Sequence, residues 1–364
     1  MATEKIRVGL IGANVNRGWG PSAHIPALLA LPEYELTAVC TAHKETAEEA
    51  ANAFGARLAF SDHEELVQHP DIDLVTVSVR VPFHHELTTS ALQAGKHVYT
   101  EWPLGVTLQE TQDMAALART QGVRTLIGLQ GRGSPALIRL KELVAEGYVG
   151  EVLACHLSAF GAVGLDRTSD RIWAKDRSSG VGALQIQFGH YMDALCFCVG
   201  DITEVSAVVS TQVSQWTFTD VGTTMDVTTP DNVLMSGKLA GGAVVSAHVA
   251  SIPWHGRGPK IEIYGREGTL VYHGSHISHT KLEGARSTEA DMQELPIPER
   301  LMWVPSDVPQ GPPFNVAQMY RRFAEAIQSG ERMEPDFDTA VRRHQLLEAV
   351  QTASDQGGRV VLDG

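Results

Sequence analysis

The sequence is short of cysteine, of basic charge and of long apolar runs, and each shortage removes a class of protein. Four cysteines, Cys40, Cys155, Cys196 and Cys198, stand among 364 residues, and none forms a Cys-x-x-Cys pair. A disulfide scaffold or a cysteine-rich zinc site is therefore not expected, and a reducing, cytoplasmic setting is. Lys and Arg number 29 against 43 Asp and Glu, a formal net charge of −14. That sign opposes nucleic-acid backbones and anionic membranes, so neither is an expected partner. No stretch reaches the roughly 20 unbroken apolar residues that a membrane helix needs. The opening residues run from Met1 into the apolar segment at Ile6 with no export signal, which predicts a protein that is not exported. No repeat and no low-complexity block interrupts the chain. The histidines lack a recognised ligand spacing; His276-x-x-His279 is suggestive in isolation, but surface loops account for it more simply, so no metal is expected.

What remains is a globular composition, 43% hydrophobic and 20% charged, at a length of roughly two domains. The first third alternates apolar strands (Ile6–Ile11, Glu35–Cys40, Leu74–Val79, His97–Thr100, Val123–Leu129) with helical patterns at Ala23–Leu31, Glu45–Phe54, His84–Ala94 and Leu108–Gln121. Such alternation predicts parallel β-α-β units wound into an α/β sheet. Beyond Gly128 a helix over Pro135–Glu146 precedes a strand near Glu151–Ser158, a loop-rich stretch to Gly182 and a helix at His190–Cys198. Five β-rich segments between Val205 and His273 follow with few helices between them, which predicts a mostly antiparallel sheet. Two helices, near Asn315–Ser329 and Thr339–Gly357, close the chain. The expected organisation is a doubly wound α/β domain over 1–126 and an α+β domain over 127–364.

The strongest local signal is Val8-Gly-Leu-Ile-Gly12-Ala-Asn14-Val-Asn16-Arg17-Gly18-Trp19-Gly20, a glycine-rich turn between the first strand and the first helix. Bare backbone there lets N–H groups approach a pyrophosphate, which the positive end of the helix favours. The spacing is longer than G-x-G-x-x-G, so Asn14, Asn16 and Arg17 are candidates alongside Gly12, Gly18 and Trp19; a plain glycine turn is the alternative. At the end of the second strand a ribose-binding carboxylate is usual. Here the chain reads Cys40-Thr41-Ala42-His43-Lys44. Thr41 with Lys44 or His43 would tolerate a 2′-phosphate, favouring NADP over NAD; otherwise His43 and Lys44 merely open the next helix.

The segment Ala94-Gly-Lys-His-Val-Tyr-Thr-Glu101-Trp102-Pro103-Leu104 resembles the AGKHV…EKPL segment of the glucose–fructose oxidoreductase/inositol dehydrogenase/MocA family. The resemblance continues through Gly180-Val-Gly-Ala-Leu184 to His190 and Asp193, and through Gly265-x-x-Gly268-Thr-Leu270. It implies an N-terminal Rossmann domain for NAD(P) and a C-terminal open sheet carrying substrate and subunit contacts, in a homodimer or higher oligomer. It also implies hydride transfer between nicotinamide and a hydroxyl or carbonyl of a sugar, cyclitol or related small molecule.

Two positions depart from the family pattern. Trp102 stands where the family carries Lys, and Ile186 stands where it carries an Asp four residues before the catalytic His. Only His190 of that trio is retained, with an imidazole suited to proton transfer near neutrality. The Gly12–Ala27 region, Glu-Trp and Gln187-Phe-Gly-His190 are together similar to the subgroup of the yeast galactose-regulon repressor, so a dinucleotide-binding regulator is the alternative to an enzyme. For an enzyme, Lys175 and Tyr191 are candidate catalytic partners of His190, and Trp102, Trp173, Gln187 and Asp193 are candidate substrate contacts. Gln185 and Gln187 share one face if that piece is extended. By the resemblance, Glu101 and Trp102 fall near the nicotinamide, and His84 aligns with a family histidine. Arg80 lies in the Arg-Val-Pro-Phe that replaces the usual Thr-Pro-Asn before it.

Overall fold

A computed structural model describes residues 4–277 and 279–362. Two compact units emerge, one from Met1–Gly133 with Met302–Arg342, the other from Ser134–Leu301 with Arg343–Gly364. The first is built on β1 (Ile6–Ile11), β2 (Tyr34–Cys40), β3 (Leu58–Phe60), β4 (Leu74–Val77), β5 (His97–Glu101) and β6 (Thr125–Gly128), interleaved with α1 (Ile25–Ala30), α2 (Lys44–Phe54), α3 (His63–Gln68), α4 (His84–Gln93) and α5 (Leu108–Gln121). The six strands pair in the order β3-β2-β1-β4-β5-β6, all parallel. Every residue of β4 and all but one of β1 are buried, as a sheet covered on both faces requires. The strand order reverses between β1 and β4, which opens a crevice at their carboxyl ends.

The second unit starts with α6 (Pro135–Ala145), β7 (Val152–Ala162), β8 (Asp166–Arg167) and α7 (Gly189–Val199). There follow β9 (Ile202–Ser210), β10 (Gln215–Phe218), β11 (Thr223–Asp226), β12 (Asn232–Leu239), β13 (Val244–Ile252), β14 (Gly258–Gly265), β15 (Gly268–His276), β16 (His279–Arg286) and β17 (Gln293–Glu294). After α8 (Pro312–Ser329) and α9 (Phe337–Gln356), β18 (Val360–Val361) completes a nine-stranded sheet in the order β17-β16-β15-β14-β7-β13-β12-β9-β18. Its pairings are antiparallel apart from β7 with β13. Burial alternates along the strands: Cys155, Leu157, Val245 and Ala247 are buried, while His156, Ser158, Ser246 and His248 between them are partly exposed. Helices α6 and α7 pack against this sheet, and one face stays open.

The structure departs from the sequence reading at several places. Helix α8 belongs to the first unit, where Val316, Met319, Tyr320 and Phe323 join the core of Val8, Leu10, Tyr34 and Tyr99. The break between units falls after Gly133, beyond the expected 126, and the chain returns to the first unit at Met302. Local pattern announces a helix but not the surface it packs on. Strand β3 and helix α3 were not expected, since three and six residues are too short to show a period. The β10–β11 hairpin and β16 are likewise additions. Gln185 and Gln187 lie in a π-helical turn, Ala183–Phe188, so two positions of separation puts them on roughly opposite sides rather than on one face. Among the described residues no helix is long and apolar enough to cross a membrane. No group of three or more His, Cys, Asp or Glu residues there could hold a metal; the side chain of His279 lies outside them.

Candidate active site

Gly12 follows β1 directly, where three strand ends meet. Its N–H donates to the Cys40 carbonyl of β2 at 2.9 Å, and a Cβ at this position would come within 2.1 Å of the carbonyl oxygen of Ser78, just past β4. Its φ of +103° is a second reason for glycine. Gly20 is equally confined, since a Cβ there would approach the Gly12 carbonyl to 2.7 Å. Between them Asn14 Oδ1 accepts the Asn16 N–H at 3.0 Å, while Asn16, Arg17 and Gly18 are exposed. Trp19 packs in part on the core and its indole Nε1 is buried without a hydrogen-bond partner. A π-helical turn over Gly20–His24, with proline in its first turn, then runs into α1. Bare backbone at a strand-to-helix turn, placed where the strand order reverses, fits a dinucleotide pyrophosphate.

The neighbouring candidates are engaged differently. Thr41 donates to the His43 carbonyl at 2.9 Å and sits 2.6 Å from Thr46 Oγ1, so it organises the start of α2. Lys44 is exposed and leans toward Glu48 of its own helix at 3.8 Å. No carboxylate stands among Thr41–Lys44, as the sequence showed. Arg80 is exposed ahead of the 3₁₀ turn Val81–Phe83. His84 is buried, with Nδ1 2.7 Å from the Pro103 carbonyl and Nε2 3.1 Å from the Val79 carbonyl. Burial pushes its pKa down, against the pull of the two carbonyls. A neutral ring has one N–H, so one nitrogen donates to its carbonyl while the other lies beside the second, and the imidazole sits buried between the Trp102–Pro103 turn and the residues after β4. Trp102 is buried. Glu101 ends β5 with its carboxylate 3.0 Å from His24 Nε2, and the sequence reading assigned His24 no role.

In the second unit, the segment Thr228–Pro230 gathers the other candidates. The N–H groups of Thr228 and Thr229 both donate to the Lys175 carbonyl, at 2.9 and 3.1 Å, and Thr229 Oγ1 donates to the Ala174 carbonyl at 2.6 Å. The Pro230 carbonyl accepts from Ala183 at 2.9 Å, which anchors the π turn leading to His190. Gly182 at φ +124° passes so close that a Cβ would meet Thr229 Cγ2 at 2.6 Å. Lys175 is half-buried with its ammonium 3.0 Å from Asp176; Trp173, on the same loop, is also half-buried. Gln187 donates to Ser251 Oγ at 3.1 Å, and its Oε1 is buried without a hydrogen-bond partner. His190 and Tyr191 are the second and third residues of α7, both partly exposed, and burial raises the Tyr191 pKa. Asp193, one turn on, faces inward instead: it is 2% exposed and 3.6 Å from the buried Arg343, which also bonds Asp201. Its place is a buried ion pair rather than the expected substrate contact.

Residues 6–129 match the model of the oxidoreductase family with an NAD-binding Rossmann fold, and residues 135–274 match that of the Gal80p C-terminal domain. The chain is 32% identical over 247 residues to the dehydrogenase aclE of Aspergillus oryzae, covering 65% of this chain and 68% of that protein. The chain belongs to the Gfo/Idh/MocA oxidoreductase family. Within that family it is also similar to the galactose/lactose metabolism regulatory protein GAL80 of Saccharomyces cerevisiae, at 27% identity over 80% of this chain and 74% of that one. Levoglucosan dehydrogenase in complex with NADH and levoglucosan shares the Gfo/Idh/MocA fold, with a TM-score of 0.88 over 99% of this chain and 100% of that one at 24% identity.

Proposed function

We propose that this protein is an NAD(P)-dependent oxidoreductase acting on a hydroxyl or carbonyl of a sugar, cyclitol or related small molecule. The observation that carries the reading is Gly12, which packs bare backbone against Ser78 at the point where the strand order reverses. Gly12, Gly18 and Gly20 would hold the pyrophosphate, with Asn14, Asn16, Arg17 and Trp19 along the same loop. A bound nicotinamide supplies the hydride acceptor or donor. The chain itself must then move a proton, and His190 is the group we assign to that task. Tyr191, whose burial keeps its phenol protonated, and Lys175 are its candidate partners. The buried, unpartnered carbonyl of the Gln187 side chain suits a hydroxyl, and Trp173 and Trp102 offer flat apolar contact. The lack of a carboxylate after Cys40 supports NADP over NAD.

A second reading is favoured by a specific observation: Trp102 and Ile186 occupy the positions of the family's Lys and Asp, and residues 135–274 match a regulator's domain. On that reading the protein binds a dinucleotide and acts through a partner. Calorimetric titration with NADP(H) and NAD(H), followed by a screen of polyols at the nicotinamide absorbance, separates the two. The enzyme reading expects turnover, and expects His190→Ala to lower it by about 10²–10⁴ with dinucleotide affinity nearly unchanged. Binding without turnover on any substrate leaves the regulator; absence of binding removes both. The open face of the nine-stranded sheet, where Val208, Leu234 and Val244 are exposed, supports a homodimer or larger assembly. A single 39 kDa species at low micromolar concentration in a light-scattering measurement would count against it. Four free, buried cysteines are consistent with a cytoplasmic site of action.

A further inference from the structure

Behind Glu101 lies a chain of four polar side chains inside the first unit. Glu101 Oε1 is 3.0 Å from His24 Nε2, His24 Nδ1 is 2.9 Å from the Tyr320 hydroxyl, and that hydroxyl is 2.8 Å from Thr76 Oγ1. His24, Tyr320 and Thr76 are fully buried, and Glu101 keeps the chain's one contact with solvent, at 9% exposure. Four elements meet here: the π turn before α1, strands β4 and β5, and helix α8. The Tyr34 hydroxyl donates to the Tyr320 carbonyl at 2.7 Å, and the rings of Tyr99 and Tyr320 stand edge-on to the imidazole at 5.0 and 5.7 Å. Gly128 backs the carboxylate so closely that a Cβ would touch it at 2.6 Å. Glu101 is therefore confined to one position between the imidazole and bare backbone.

Counting donors orders the chain. Tyr320 has one O–H, and deep burial keeps it protonated. If that proton points to His24 Nδ1, the Thr76 hydroxyl donates to Tyr320, and Nε2–H donates to the carboxylate; every donor is then used. If Nδ1 carried a proton as well, Tyr320 would have to donate to Thr76. The Thr76 hydroxyl has no other hydrogen-bond partner among the described residues, so its own proton would be left unpaired in a buried site. Satisfaction of all four groups selects one arrangement.

We infer that His24 is a positioning residue: a neutral imidazole protonated on Nε2, locked by Tyr320 and Thr76, that holds the Glu101 carboxylate in a single orientation at the end of β5. The relay stands on this geometry; that the carboxylate it holds matters for the dinucleotide rests on the function proposed above. Long-range proton–nitrogen NMR on protein labelled with ¹⁵N-histidine tests both. The His24 signals are assigned by their loss in His24→Gln. The expected result at neutral pH is a protonated Nε2 and a bare Nδ1. Tyr320→Phe should turn this into a mixture of tautomers and weaken dinucleotide binding about three- to tenfold. Thr76→Val, with similar shape, should leave the tautomer as it is, which separates loss of the Nδ1 donor from general loosening. A doubly protonated ring or an Nδ1–H tautomer in the unaltered protein overturns the inference. So does a Tyr320→Phe protein whose His24 signals and affinity are unchanged. The expected tautomer in a protein that binds neither dinucleotide leaves the relay standing and removes the dinucleotide reading instead.

Discussion

Among the described residues two helices begin with a π-helical turn, Gly20–His24 and Ala183–Phe188, and each leads to a histidine. Such turns are uncommon and gather at functional sites. The two histidines have opposite surroundings. His24 closes the first turn and is sealed, with both ring nitrogens bound to side chains of the same unit. His190 follows the second turn and stays partly exposed. Packing accounts for the contrast. Helix α8 covers the turn that carries His24, whereas His190 lies in the first turn of α7 and is covered only in part. Local geometry delivers a histidine, and the elements packed on it decide whether that histidine is sealed or left partly exposed.

The hardest blow to the first unit falls on Gly12. Gly12→Ala combines a φ of +103° with a 2.1 Å collision on Ser78. It should cost about 4 kcal/mol in unfolding free energy and remove dinucleotide binding, read by denaturant titration and calorimetry. Retained binding would mean that the strand-end cradle is not where the dinucleotide sits. The matching blow to the second unit is Arg343→Ala, which removes the buried guanidinium beside the buried Asp193 and should cost about 3–5 kcal/mol. Combining Arg343→Met with Asp193→Asn should recover most of that loss. If instead the single and double changes cost the same, the ion pair does not hold α7 in place.

A gentler probe is pH. Burial lowers the His344 pKa from 6.5 to about 4, so the unfolded chain binds this proton where the folded chain does not. Between those values the unfolded state takes up more protons, and stability falls as the pH drops. At about 1.4 kcal/mol for each unit the loss reaches about 3 kcal/mol near pH 4, with none above pH 7. Urea unfolding at pH 7 and pH 4.5 should show that limb, and His344→Gln should flatten it.

Much of the first unit could be read from the chain because its signals are local. Leu108–Gln121 was bounded by Thr107, whose side chain accepts from Glu110 N, and by Gly122 in the left-handed conformation. The glycines of the nucleotide loop were visible for the same reason, since their backbone demands are set by immediate neighbours. Less of the candidate site was legible. His84 and Asp193 looked like ligand contacts from their place in motifs, yet one is buried between two backbone carbonyls and the other lies against an arginine 150 residues further along. His24 was part of a visible motif, but nothing near it in sequence announces Tyr320.

Alternating apolar runs, glycine turns and helix caps act within a few residues of chain, so the sequence by itself determined the longer strands and helices and the parallel character of the first sheet, but not the short β3 and α3. It also determined the strand-to-helix cradle, because only glycine tolerates that backbone. The tertiary structure decided which surface α8 covers, and so brought Tyr320 to His24 across 296 positions. It likewise decided which carboxylate is sealed against an arginine and which is held at a strand end. Those outcomes depend on packing between elements remote in sequence, where burial makes an unpaired donor or charge costly and leaves few arrangements that satisfy every polar group.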